Sequence, residues 1–140
     1  MFECLIVGDS IGVGVSNVRK ECVAYVKGGI NSKQWLDKNV QKTPLIAKHV
    51  IISLGSNDHK YINTEAELRT IRALTKADKV YWVLPAGNHP KSNVSIQYIQ
   101  LTVREIAKEH GDIVLPISSL QKDGIHPSDR GYKDLAEKSR

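Results

Sequence analysis

Four stretches, far apart in the chain, carry the side chains that nucleophilic chemistry requires: Gly8-Asp9-Ser10, Lys27-Gly28-Gly29, Gly55-Ser56-Asn57-Asp58 and Asp123-Gly124-Ile125-His126-Pro127. A serine that attacks an acyl carbon needs a base to take its proton, an acid to orient that base, and donors for the oxyanion that develops. Ser10 offers the hydroxyl at the start of whatever helix follows the first apolar run, where the helix dipole favours negative charge. Asp123 stands three residues before His126, so a tight loop lets the carboxylate reach back to the ring, with Gly124 easing the turn and Pro127 setting the exit. Asn57 has an amide that can donate to an oxyanion, and the backbone N–H of Gly29 can approach one closely because no Cβ intervenes.

The same glycine-rich start, IVGDSIGVGV over residues 6–15, also has to be tested as a phosphate cradle. A dinucleotide fingerprint needs three glycines in G-x-G-x-x-G spacing and an acid near the end of the second strand. Here Gly12-Val13-Gly14 is followed by Val15-Ser16-Asn17, and the second strand ends at Val26-Lys27, so both diagnostic positions fail. No Gly-Lys-Ser/Thr closes the turn as a P-loop would. Lys27, placed to meet a phosphate, keeps nucleotide binding as a weaker alternative. Taken singly, Ser10 reads as a helix cap and Asp123 with His126 as an ordinary turn; their value lies in coming together.

The elements must bring them together. Apolar runs rich in β-branched residues occupy 4–7, 22–26, 49–54, 79–84 and 113–117, continuous rather than alternating, as expected of strands covered on both faces. Between them lie helix patterns: Thr64 and Glu67 read as a capping box ahead of Leu68, Ile71 and Leu74; residues 93–110 align Ile96, Ile99, Val103 and Ile106; Ser128 caps a last helix carrying Tyr132, Leu135 and Ala136. Segments 11–20 and 31–40 predict short helices after irregular turns. Strand and helix alternating five times imply a three-layer α/β/α domain with a parallel sheet, spanning 1–140. In such a sheet the carboxyl ends of the strands share one edge, where ligands bind, and every stretch named above follows a strand.

At those positions the chain resembles the SGNH (GDSL-type) hydrolases, whose four motif blocks are similar to Gly8-Asp9-Ser10, Gly29, Gly55-Ser56-Asn57-Asp58 and Asp123-Gly124-Ile125-His126-Pro127, in order, with Gly131-Tyr132 and Leu135-Ala136 extending the likeness into the last helix. The resemblance implies a five-stranded sheet in the order 2-1-3-4-5. It implies Ser10 as nucleophile, His126 as general base and then acid, and Asp123 as the group orienting His126. The oxyanion donors would be the N–H groups of Ser10 and Gly29 and the side chain of Asn57, with Gly28 the rival of Gly29. The reaction implied is ester hydrolysis through an acyl-serine, with no cofactor and no metal. Ile11 stands where the family nickname has leucine. The short stretches between blocks leave little chain for a walled acyl pocket, which suits a small acyl group such as acetyl on a bulky carbohydrate. Trp35 reads first as a core or helix-packing residue, with stacking on a sugar as its functional alternative, and Asn88 reads as a turn residue or a substrate contact; both are carried as candidate substrate contacts. A short-chain lipase or thioesterase, and a silent glycan-binding module of the same fold, are the alternatives.

Composition narrows the setting. At 140 residues the chain suits one domain with one core, without linker, repeat or low-complexity segment. No apolar run approaches the ~20 residues of a membrane span. A basic start and a small-residue cleavage site are missing from MFECLIVGDS, so the expected location is cytoplasmic, with secretion or a virion setting left open. The net charge of +5 comes from scattered Lys and Arg without a basic block, so a nucleic-acid partner is not expected; a homo-oligomer is possible. Cys4 and Cys22, in apolar surroundings, read as buried free thiols in preference to a bridge, and His59 and His89 as rim residues in preference to metal ligands.

Overall fold

A computed structural model describes residues 1–140. The continuous apolar runs form strands β1 (Phe2–Gly8), β2 (Val23–Val26), β3 (Leu45–Ser53), β5 (Lys79–Val83) and β6 (Ile113–Leu115), and a two-residue strand, β4 (Thr75–Lys76), adds to the start of β3. Helices α1 (Ser10–Val18), α2 (Ser32–Asn39), α3 (Thr64–Ala73), α4 (Ile96–His110) and α5 (Asp129–Lys138) alternate with them. All pairings are parallel, in the order β2-β1-β3-β5-β6. With β4 set aside, this is the order that the family resemblance implies.

Successive residues of each strand serve opposite faces. Leu5 and Val7, Val50 and Ile52, Val80 and Trp82 join one core with Trp35, Leu68, Ile71, Val103 and Ile106 from α2, α3 and α4. Ile6, Ile51, Tyr81 and Val83 join the other with Ile11, Val15 and Leu135 from α1 and α5. Burial on both faces is why these strands read as unbroken apolar runs. The strand order reverses at β1, with β2 on one side and β3 on the other, and this opens a crevice at the carboxyl ends of β1 and β3.

Three local expectations are corrected. Cys4 and Cys22 are joined in a disulfide, not free: Leu5 pairs with Val23 across β1 and β2, so one residue earlier the two cysteines face each other with Cα atoms 4.8 Å apart. Spacing along the chain carries no trace of that register. The N-cap of α3 is Asn63, whose side chain accepts from Ala66 N–H, not Thr64, which is buried and engaged elsewhere. The last strand stops at Leu115 because Pro116 has no N–H for the ladder.

Candidate active site

The turn from β1 into α1 presents Ser10 as the first helical residue. Asp9 caps the helix, its Oδ1 accepting Ile11 N–H at 3.0 Å, and its own N–H donates to the Ser53 carbonyl at 3.0 Å, which ties the turn to β3. Gly8 is required by the closeness of that contact, since a Cβ there would lie 2.5 Å from the Ser53 carbonyl oxygen. Gly12 and Gly14, the other glycines of the stretch, let α1 pack closely: a Cβ on Gly12 would lie 3.0 Å from Val26, and one on Gly14 would fall 2.2 Å from the Tyr132 ring of α5. They are packing positions of α1, against β2 and α5.

The loop after β6 brings the other two groups to Ser10. The Ser10 Oγ lies 2.9 Å from His126 Nε2, and His126 Nδ1 lies 2.6 Å from Asp123 Oδ2. Asp123 Oδ1 accepts the N–H groups of Ile125 and His126 at 2.9 and 3.0 Å, so one carboxylate shapes the loop and holds the ring at once. Gly124 adopts φ +70° to allow it. The hydrogen bond from His126, followed by the backbone N–H groups of Ile125 and His126, lowers the Asp123 carboxyl to about 2, so it is an anion at any ordinary pH. The loop is pinned by Gln121 N–H to the His126 carbonyl (2.8 Å) and Ser128 N–H to the Ser119 carbonyl (3.0 Å). Gly87, after β5, packs against it so tightly that a Cβ would lie 2.8 Å from the Gly124 carbonyl oxygen. The imidazole is 35% exposed and the Asp123 side chain 41%, so the relay opens directly to solvent.

Donors converge on the same edge. Lys27 N–H donates to the Gly8 carbonyl at 3.0 Å and so lays the turn after β2 beside Ser10; the turn closes from Ile30 N–H to the Lys27 carbonyl, with Gly29 at φ +76°. Neither Gly28 nor Gly29 spends its N–H within the protein, and nor does Ser10 at the open first turn of α1. A Cβ on Gly28 would be 4.0 Å from Ser10 Cβ, so both glycines remain candidate donors. Asn57 donates one amide hydrogen to the Ile30 carbonyl at 3.1 Å and keeps the second free; with Gly29 it lines a shallow depression of about 210 Å³.

Asp58 does more than steady its own loop. Fully buried, it accepts from Ser32 N–H (2.8 Å), Ser32 Oγ (2.6 Å) and Thr64 Oγ1 (2.7 Å), fastening the starts of α2 and α3 to the turn that carries Asn57. The hydroxyl of Thr64 was the available signal, but it reads as a cap until the fold shows its partner. Asp9 is also buried; its Oδ2 has no partner, and desolvation lifts its carboxyl to about 7 against the pull of the Ile11 and Gly12 N–H groups.

Of the two candidate substrate contacts, Trp35 takes its core reading and Asn88 its turn reading. Trp35 is fully buried and donates its indole N–H to the Tyr25 carbonyl at 2.8 Å, so its face is closed to a sugar. Asn88 donates to the Val94 carbonyl and so braces its own loop. His59 and His89 accept, through Nδ1, the N–H groups of Tyr61 and Lys91, and line the depression with Asn57.

No family model matches the sequence, and no curated protein matches it. Solved structures do. A GDSL-like lipase from Bacteroides thetaiotaomicron superposes with a TM-score of 0.69 at 20% identity, over 98% of this chain and 88% of that one. The C-terminal catalytic domain of peptidoglycan O-acetyltransferase A from Streptococcus pneumoniae gives 0.66 at 19% identity, over 96% and 88%. An acetyl xylan esterase, AlAXEase, gives 0.64 at 14% identity, with 96% of each chain covered. The fold is therefore the one that the four motif stretches implied.

Proposed function

We propose that the protein is a serine esterase of the SGNH type that removes a small acyl group, acetyl foremost, from a carbohydrate hydroxyl. The observation that carries this reading is the unbroken relay from Ser10 Oγ through His126 to Asp123, at 2.9 and 2.6 Å. His126 Nε2 takes the Ser10 proton as Oγ attacks the acyl carbon, while Asp123 holds the Nδ1–H and offsets the charge on the ring. The oxyanion is met by the N–H groups of Ser10 and Gly29 and the free amide hydrogen of Asn57. His126 then returns the proton to the departing sugar oxygen, and water, deprotonated by the same ring, releases the acyl group from Ser10.

A small acyl group is favoured because the depressions that Gly29 borders are shallow: the one holding Asn57 is lined by no hydrophobic residue and the other by Ile30 alone, which leaves a long alkyl chain little to bury against. The acetyl esterase and O-acetyltransferase among the structural neighbours are named for acetyl chemistry on glycans, which is consistent with that choice.

The deciding experiment is labelling with a fluorophosphonate followed by mass mapping. Label is expected on Ser10 and lost in Ser10→Ala and His126→Ala. A folded protein that takes no label, and that leaves p-nitrophenyl acetate and acetylated sugars intact, would turn the reading towards a glycan-binding module. Release of acetate in preference to longer acyl chains separates the esterase from a short-chain lipase or thioesterase.

A further inference from the structure

Gly29 borders two depressions, of about 230 and 210 Å³, and both are lined by cations without a single Asp or Glu. The first holds Lys27 and Lys38 beside Gly28; the second holds Lys91 with His59 and His89 beside Asn57. None of these lysines pairs with a carboxylate. Lys27 stands so close to Lys38 that contact between the two amines, and then their mutual charge, pulls the Lys38 ammonium below the ordinary lysine value. A third depression continues the row along the edge strand β2, where Lys42 joins Lys27 and Lys38 and lies 4.4 Å over the Tyr25 ring.

Crowding like charges costs energy that nothing in the packing of α2 against β2 recovers, because these ammonium groups lie at the surface. An anion resting among them would recover it. The row begins at the turn that carries Gly28 and Gly29, within reach of the Ser10 hydroxyl, so the anion belongs to the molecule that bears the ester. Along β2 the open aromatic face, Tyr25, is already covered by Lys42, which leaves no platform on that stretch of the row on which bases could stack.

We infer that the esterified molecule is an acidic glycan, its sugar carboxylates resting against Lys27, Lys38 and Lys42 along β2 and against Lys91 beside Asn57. This rests on the esterase reading for its chemistry, though not for its binding. The cationic row supplies affinity and orientation for a long acidic polymer that the open site, without walls, does not otherwise grip.

The test has a binding arm and a turnover arm. In calorimetry, Ser10→Ala should bind de-esterified polygalacturonate, bind neutral xylan at least about tenfold more weakly, and lose the difference when Lys27→Gln and Lys38→Gln are added or when salt is raised. In turnover, the ratio of kcat/KM on acetylated polygalacturonate to that on acetylated xylan should favour the acidic polymer and fall about tenfold in Lys27→Gln/Lys38→Gln, mainly through KM. Equal binding of the two polymers, binding indifferent to the substitutions, or RNA bound as tightly as polygalacturonate would overturn the inference. A Ser10 that resists the fluorophosphonate would instead remove the esterase reading, and the binding arm would still decide this one.

Discussion

Replacing Asp58 by alanine removes, at one stroke, the acceptor of three buried donors: Ser32 N–H, Ser32 Oγ and Thr64 Oγ1, all within 2.8 Å of the carboxylate. A hydrogen bond to a charged acceptor contributes ~1.5–3 kcal/mol, and a buried donor left without one keeps its full desolvation cost. The two hydroxyls can turn towards other acceptors, but the Ser32 N–H cannot, so the expected loss is about 4 kcal/mol rather than the sum of three maxima. Against a total domain stability of ~5–15 kcal/mol, that is a large share. Asp58→Asn separates geometry from removal. Its amide oxygen still accepts the Ser32 N–H, and its NH2 can donate to both hydroxyl oxygens, so a loss of about 1–2 kcal/mol is expected. Urea unfolding measures both, with the midpoint moving and the slope kept. Because Asp58 adjoins Asn57 and holds the segment after Gly29, hydrolysis of p-nitrophenyl acetate by the folded Asp58→Asn protein should drop through kcat. A change under ~1 kcal/mol in Asp58→Ala would refute the claim that this residue fastens α2 and α3 to the donor turn.

The buried Asp9 holds its proton more tightly in the folded chain than in the unfolded one, with a value of about 7 against 3.8. Its contribution is therefore complete below the unfolded value and lost as pH rises through about 7, a fall of up to ~4 kcal/mol; Asp9→Asn should flatten that limb in urea titrations run as a pH series and gain on the wild type at alkaline pH. Alanine substitution of Gly8, Gly12 and Gly14 should rank Gly8 worst of the three, because its added Cβ meets the Ser53 backbone at 2.5 Å, ahead of Gly14, where the Tyr132 ring at 2.2 Å can swing away, and Gly12, where Val26 stands at 3.0 Å; midpoints from thermal unfolding give the order, with losses of ~1–3 kcal/mol where the neighbour yields. Reduction of the Cys4–Cys22 bridge, which closes a separation of 18 residues, should cost ~3 kcal/mol, read as a lower Tm in scanning calorimetry with reductant.

What was legible in the sequence follows from local rules. Strands sandwiched between two helical layers must be apolar throughout, so the runs around Leu5, Ile51 and Trp82 announced both the strands and the parallel sheet. A serine after the first strand, and an Asp three residues before a His, are spacings that one turn can close, and Gly124 at φ +70° closes it. For the opposite reason, Trp35 stands between two readings in the sequence. An aromatic near Gly29 is compatible with stacking on a ligand or with burial, and only the packing of α2 on β1 and β3 decides that its ring lies inside.

By itself, the sequence determined the order of elements, the two-sided burial of the strands and the edge on which Ser10, Gly29, Asn57, Asp123 and His126 had to meet, because periodicity, turn chemistry and the parallel rule are all properties of neighbouring residues. Tertiary structure alone decided the 2.9 Å between Ser10 and His126, the pairing of Cys4 with Cys22, the three donors gathered on Asp58 and the row of lysines from Gly28 along β2. Each of these joins residues from separate elements, and their contact depends on strand register and helix placement, which the free energy of the whole core selects.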